Sequence, residues 1–70
     1  MKIILSQHAK KRLAERSIKI KDVEETIEMP DYTISKGDKK EAYKKINEKT
    51  LKVIYADEGK YIKVITLIWK

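Results

Sequence analysis

Tyr61-Ile62-Lys63-Val64-Ile65-Thr66-Leu67-Ile68-Trp69 is the stretch on which the fold turns. It holds no glycine or proline and is rich in β-branched residues, so it reads as a strand. Strict alternation sends Ile62, Val64, Thr66 and Ile68 to one side and Ile65, Leu67 and Trp69 to the other, leaving both faces largely apolar. Such a strand belongs inside a sheet whose two faces are both sheltered.

Working back from it, three further segments carry strand chemistry: Leu51 to Ala56, Glu41 to Ile46 and Tyr32 to Lys36. Asp57 to Lys60, Asn47 to Thr50 and Gly37-Asp38 supply turn residues between them, so each neighbouring pair can close as an antiparallel hairpin. Upstream of Pro30 the spacing becomes helical. Ile20, Val23 and Ile27 predict a helix over Ile20 to Glu28, which Pro30 ends. Ser17 to Lys19 break the pattern, and an earlier helix runs from Gln7 to Arg16 with Ser6 as its N-cap and Ala9 and Leu13 as a narrow apolar stripe joined by Leu5. Lys2 to Leu5 make a short strand. The expected fold is α+β, with two N-terminal helices packed on one face of a twisted antiparallel sheet. Two short helices cover one sheet face only. The other is left to a second copy of the chain, a binding protein, a stacked nucleobase, or the lysine stems of neighbouring strands.

Seventy residues make one domain, near the lower limit at which an apolar core outweighs chain entropy. Hydrophobic residues are 41% and charged residues 40% of the chain, with two glycines and one proline, which argues for a folded module with short loops. Cysteine is absent and histidine occurs once, so no zinc constellation, disulfide frame or thiol nucleophile is available, and no metal or cofactor is expected. No glycine-rich phosphate loop and no serine–histidine–aspartate arrangement stands out. The apolar run at Ile3 to Leu5 is too short for a secretory signal or a membrane span, so the expected location is the cytoplasm, away from membranes. A net charge of +6 favours an acidic partner, nucleic acid or an acidic protein, although a lysine-rich composition also has origins unrelated to binding.

His8, Arg12 and Arg16 are the single histidine and the only arginines, four residues apart, and so lie in one row on the first helix. At 100° per residue they fall at about 0°, 40° and 80°, beside Ala9 and Leu13 at about 100° and 140°. Guanidinium forks suit bidentate capture of phosphate and imidazole suits proton transfer, which points toward RNA.

The order Ser6-x-His8-Ala9-x-x-Arg12-x-x-x-Arg16, then Val23, Pro30-Asp31, Tyr43-Lys44-Lys45, Leu51-x-Val53-x-Tyr55 and Val64-Ile65-Thr66-x-x-Trp69 resembles the small prokaryotic proteins catalogued as domain of unknown function 4258. That family is in turn similar in expected fold to the RelE/ParE toxins. The resemblance implies a small basic protein that binds RNA, on the ribosome in many RelE-like members, cleaves it without metal, and is restrained by an acidic antitoxin-like partner. ParE-like relatives act on gyrase instead, and fold analogy does not establish chemistry. Ser17 stands where the family often has glycine, Lys19 where a serine or threonine cap is common, and Ile68 where an aromatic is common.

Metal-free cleavage needs a base for the ribose 2′-OH, cations for the phosphate and an acid for the leaving oxygen. His8 is the candidate base, and Arg12 and Arg16 are the candidate clamp, with Lys44 or Lys45 in support. Against this, His8 can cap the first turn, Arg12 can pair with Glu15, and Arg16 can pack on the second helix. Tyr43, Tyr55 and Trp69 can stack bases or fill the core, and Thr66 can donate a hydroxyl or simply fill a strand. Lys39-Lys40 and Lys44-Lys45 form a lysine-rich hairpin that guards an edge or binds a backbone. The expected function is RNA binding with cleavage through the His8, Arg12 and Arg16 row. The alternative is a non-catalytic module for nucleic acid or protein, or a homodimer joined through the far sheet face.

Overall fold

The computed structural model describes residues 2–70. Strand β1 (Ile3–Leu5) leads into helices α1 (Gln7–Glu15) and α2 (Ile20–Glu28), and strands β2 (Tyr32–Lys36), β3 (Lys39–Ile46), β4 (Lys49–Asp57) and β5 (Ile62–Trp69) follow. The expected helices and the β2 limits stand almost unchanged. Strands β3 and β4 run longer than expected, because pairing reaches right up to the expected Gly37-Asp38 turn and the expected Asn47 to Thr50 turn contracts to two residues. Gly37-Asp38 and Asn47-Glu48 suffice, with Gly37 at φ 64° and Asn47 at φ 59° taking the left-handed conformation that such tight links require.

The five strands lie in the order β1-β5-β4-β3-β2. From β2 to β5 the sheet is the expected antiparallel meander, but β1 pairs parallel to β5, so the sheet is mixed and the all-antiparallel expectation is corrected. Once β4 has taken one edge of β5, the other edge still needs partners, and the short β1 supplies them through pairs Ile3 with Ile62 and Leu5 with Val64.

A second correction concerns β5 itself. Val64 faces Tyr55 across the ladder while Thr66 faces Ile54, so Ile65 is an extra residue, a β-bulge. The bulge flips the alternation beyond it. Ile62, Val64, Leu67 and Trp69 share the helix side, whereas Thr66 and Ile68 lie on the other. The disrupted position is not wasted. Ser6 Oγ donates to the Ile65 carbonyl at 2.9 Å and accepts the Ala9 amide at 3.0 Å, tying the start of α1 to the bulge.

Both helices pack on one face, α1 against β5 and β1, α2 against β3 and β4. Ala9, Ile18, Val23 and Ile27 meet Ala42, Leu51, Val53, Tyr55, Ile62, Val64 and Leu67 in a single core. Lys19 caps α2 without a side-chain hydrogen bond, as its chemistry implies, and Asp22 supplies an acid in the first turn. No helix among the described residues is long and apolar enough to cross a membrane.

Candidate nucleic-acid interface

The basic row on α1 exists, but its members have different fates. His8 is exposed one residue into the helix. Arg12 donates to Glu15 at 2.7 Å, the pairing weighed against a phosphate role, and this contact holds the Glu15 carboxyl below its ordinary range. Arg16 is the C-cap of α1. Its guanidinium turns to β5 rather than to the second helix and donates to the Leu67 carbonyl at 2.6 Å.

Beside Arg16 a cleft of about 800 Å³ opens between the end of α1 and the β3–β4 turn, lined by Ser17, Ile46, Asn47, Glu48, Lys49 and Trp69. Trp69 anchors it through an Nε1 donor to the Arg16 carbonyl at 3.0 Å, and Lys49 Nζ lies 5.8 Å from the indole centroid. Two candidate residues, Arg16 and Trp69, therefore meet here. His8 stands at the opposite end of α1, roughly 12 Å away along the axis by helical rise.

The strand candidates divide by face, because ladder partners share a face and alternate residues do not. Lys44, Tyr55 and Trp69 belong to the helix side. Lys44 Nζ donates to the Met29 carbonyl at 2.9 Å, closing the end of α2, and Tyr55 is buried in the core, where burial and then Asp57 push its phenol up from the ordinary range. Tyr43, Lys45 and Thr66 lie on the face that no helix covers. His8 and the Tyr43–Lys45 pair thus lie on opposite sides of the sheet.

The open face carries more than the sequence reading placed there. The registers align Lys36, Lys39, Lys45, Lys52 and Lys63 on it, with Glu41 as the one acid of these strands on that side. Glu41 is already satisfied. It accepts from the Tyr43 hydroxyl at 3.2 Å and sits 3.6 Å from Lys36 Nζ and 3.8 Å from Lys52 Nζ. Lys39, Lys45 and Lys63 are exposed and form no ion pair among the described residues. Between the cations lie Ile34, Ile54, Ile68 and the stacked rings of Tyr32 and Tyr43. Lysine stems provide part of the shelter, since the Lys52 side chain keeps only 17% of its exposure.

Tyr32, Lys36, Lys52 and Lys63 were absent from the sequence-derived site. The available signal was parity. With two-residue turns at Gly37-Asp38 and Asn47-Glu48, the registers of β2, β3 and β4 follow, and Tyr32, Tyr43 and Lys52 fall in one row.

No curated protein and no solved structure matches the chain. The family described as Domain of unknown function (DUF4258) matches residues 5–69, a span that takes in α1, α2, the open sheet face and the Arg16 cleft. The chain therefore belongs to the DUF4258 family.

Proposed function

We propose that this protein is a non-catalytic RNA-binding module on a RelE/ParE-like scaffold, holding the RNA backbone across the helix-free face of its sheet. The two N-terminal helices packed on one sheet face support the scaffold reading. A single observation carries the function: five lysines face one already-paired carboxylate on a broad, uncovered surface. Polyanion binding draws its affinity from phosphates neutralised by such cations and the counterions they release. On the helix side the four acids of α2, Asp22, Glu24, Glu25 and Glu28, offset the four cations of α1, Lys10, Lys11, Arg12 and Arg16, whereas the open face sets five lysines against Glu41 alone.

Holding is favoured over cutting for a geometric reason. Cleavage requires base, clamp and acid around one phosphate. Here the two guanidinium groups are engaged by Glu15 and Leu67, and His8 is separated from the lysine face by the sheet. An acidic antitoxin-like protein, if it is the regulator, would compete for the same lysines.

The test compares two charge reversals by anisotropy of a labelled RNA. K39E/K45E/K63E alters the open face at exposed, unpaired positions; K10E/K11E alters α1. The proposal expects the first to weaken binding at least roughly tenfold and to flatten its salt dependence, and the second to do far less. The reverse ranking would overturn it, as would metal-independent RNA cleavage that His8→Ala abolishes.

A further inference from the structure

Tyr32 and Tyr43 stand side by side on β2 and β3 with ring centroids 4.5 Å apart and planes 12° from parallel. On the other flank of Tyr43, from β4, Lys52 Nζ approaches its ring centroid to 5.6 Å. The row Tyr32–Tyr43–Lys52 is therefore a stack running across three strands. Its inner ring is closed in, with Tyr43 only 7% exposed, while Tyr32 is 55% exposed. Strand β2 is the sheet edge, so no further strand stands beyond Tyr32 to cover the outer side of its ring.

We infer that the outer ring face of Tyr32 is a stacking site for an unpaired base, and that the substrate class of the open face is single-stranded rather than duplex RNA. The inference rests on the RNA reading above and sharpens it. An exposed tyrosine normally samples several rotamers and pays to be fixed on binding; here Tyr43 already holds the ring, so that cost is reduced before any ligand arrives. Every base has a π-face, so one platform accepts many sequences, whereas a duplex keeps those faces inside its own stack. The cations needed for the flanking phosphates are adjacent. Lys45 follows Tyr43 by two residues on the same face of β3, and Lys36 lies along β2 beyond Ile34. Ile34, 39% exposed, offers apolar contact to the next sugar or base without a ring.

The experiment titrates the full chain with two labelled probes of equal length, an unstructured adenine-rich RNA of about twelve nucleotides and the blunt duplex of that strand with its complement. The wild type should favour the unstructured probe. Tyr32→Ala should lower that affinity by roughly five- to hundredfold, the range seen for loss of one base–aromatic stack, and leave duplex binding unchanged. Tyr32→Phe should keep the wild-type preference, and so should Thr33→Ala on the opposite face of β2, which separates stacking from loss of edge packing. Equal binding of both probes by the wild type, or Tyr32→Ala indistinguishable from wild type while K39E/K45E/K63E still abolishes binding, would overturn the stacking site and leave the lysine face standing. Failure of the wild type to bind either probe would remove both.

Discussion

Trp69 and Arg16 join the last strand to the end of α1: the indole Nε1 donates to the Arg16 carbonyl at 3.0 Å, and the Arg16 guanidinium donates to the carbonyl of Leu67, two residues before Trp69, at 2.6 Å. The end of a helix leaves carbonyls without intrahelical partners, and here the last strand supplies the donor. Trp69→Phe keeps an aromatic side chain, smaller than the indole, and removes the donor. It should cost about 1–2 kcal/mol in urea unfolding, since the carbonyl it leaves is part-buried. Arg16→Met should cost a similar amount. A double variant well below the sum of the two would identify the pair as one clasp.

Ser17 sits at φ 52°, just after the Arg16 cap. A residue with a Cβ pays for that conformation and glycine does not. Ser17→Gly should therefore raise stability by about 0.5–1 kcal/mol despite the greater freedom of glycine in the unfolded chain, read as a higher thermal midpoint.

Ser6 serves two elements with one hydroxyl, accepting from the Ala9 amide and donating to the bulge carbonyl of Ile65. Ser6→Ala loses both and should destabilise by about 1–2 kcal/mol. Ser6→Asp separates the roles, because a carboxylate accepts the amide and cannot donate to Ile65. It should recover only part of the loss.

Tyr55 gives a pH prediction. Its phenol is raised from the ordinary value of 10.0 chiefly by burial, so the folded state resists ionisation more than the unfolded state does. The associated stability is complete below the unfolded value and is lost as pH climbs from there through the folded one. Tyr55→Phe should show a shallower fall in thermal midpoint above about pH 10 than the wild type, and the same pH dependence near neutrality. Parallel curves across the alkaline range would contradict the assignment.

Much of this architecture was readable from the chain because its signals are local. Pro30 marks the change from helical to two-residue spacing, Ser6 caps α1, and Gly37-Asp38 and the Asn47 to Thr50 segment punctuate the hairpins, the second turn closing in the structure at Asn47-Glu48. What escaped depends on contacts distant in sequence. Nothing near Ile65 announces a bulge; it becomes visible only when β4 and the Ser6 hydroxyl are set against it, and without it the facing of Thr66 and Leu67 is read backwards. The parallel pairing of β1 likewise depends on which edge of β5 remains vacant. The site divided on the same line. Spacing put His8, Arg12 and Arg16 in a row, but Leu67 and Glu15 decided what the arginines do, and the lysine face emerged only once registers joined Lys36, Lys52 and Lys63 across four strands.

The most direct test of the central claim is an NMR titration of the full chain with unstructured RNA, following side-chain signals on both sides of the sheet. The lysine-face account predicts that the largest shifts fall on the Tyr32 and Tyr43 rings and on the Ile54, Thr66 and Ile68 methyl groups, with the His8 imidazole nearly still. Shifts confined to His8 and the α1 methyl groups, or none at saturating RNA, would contradict it.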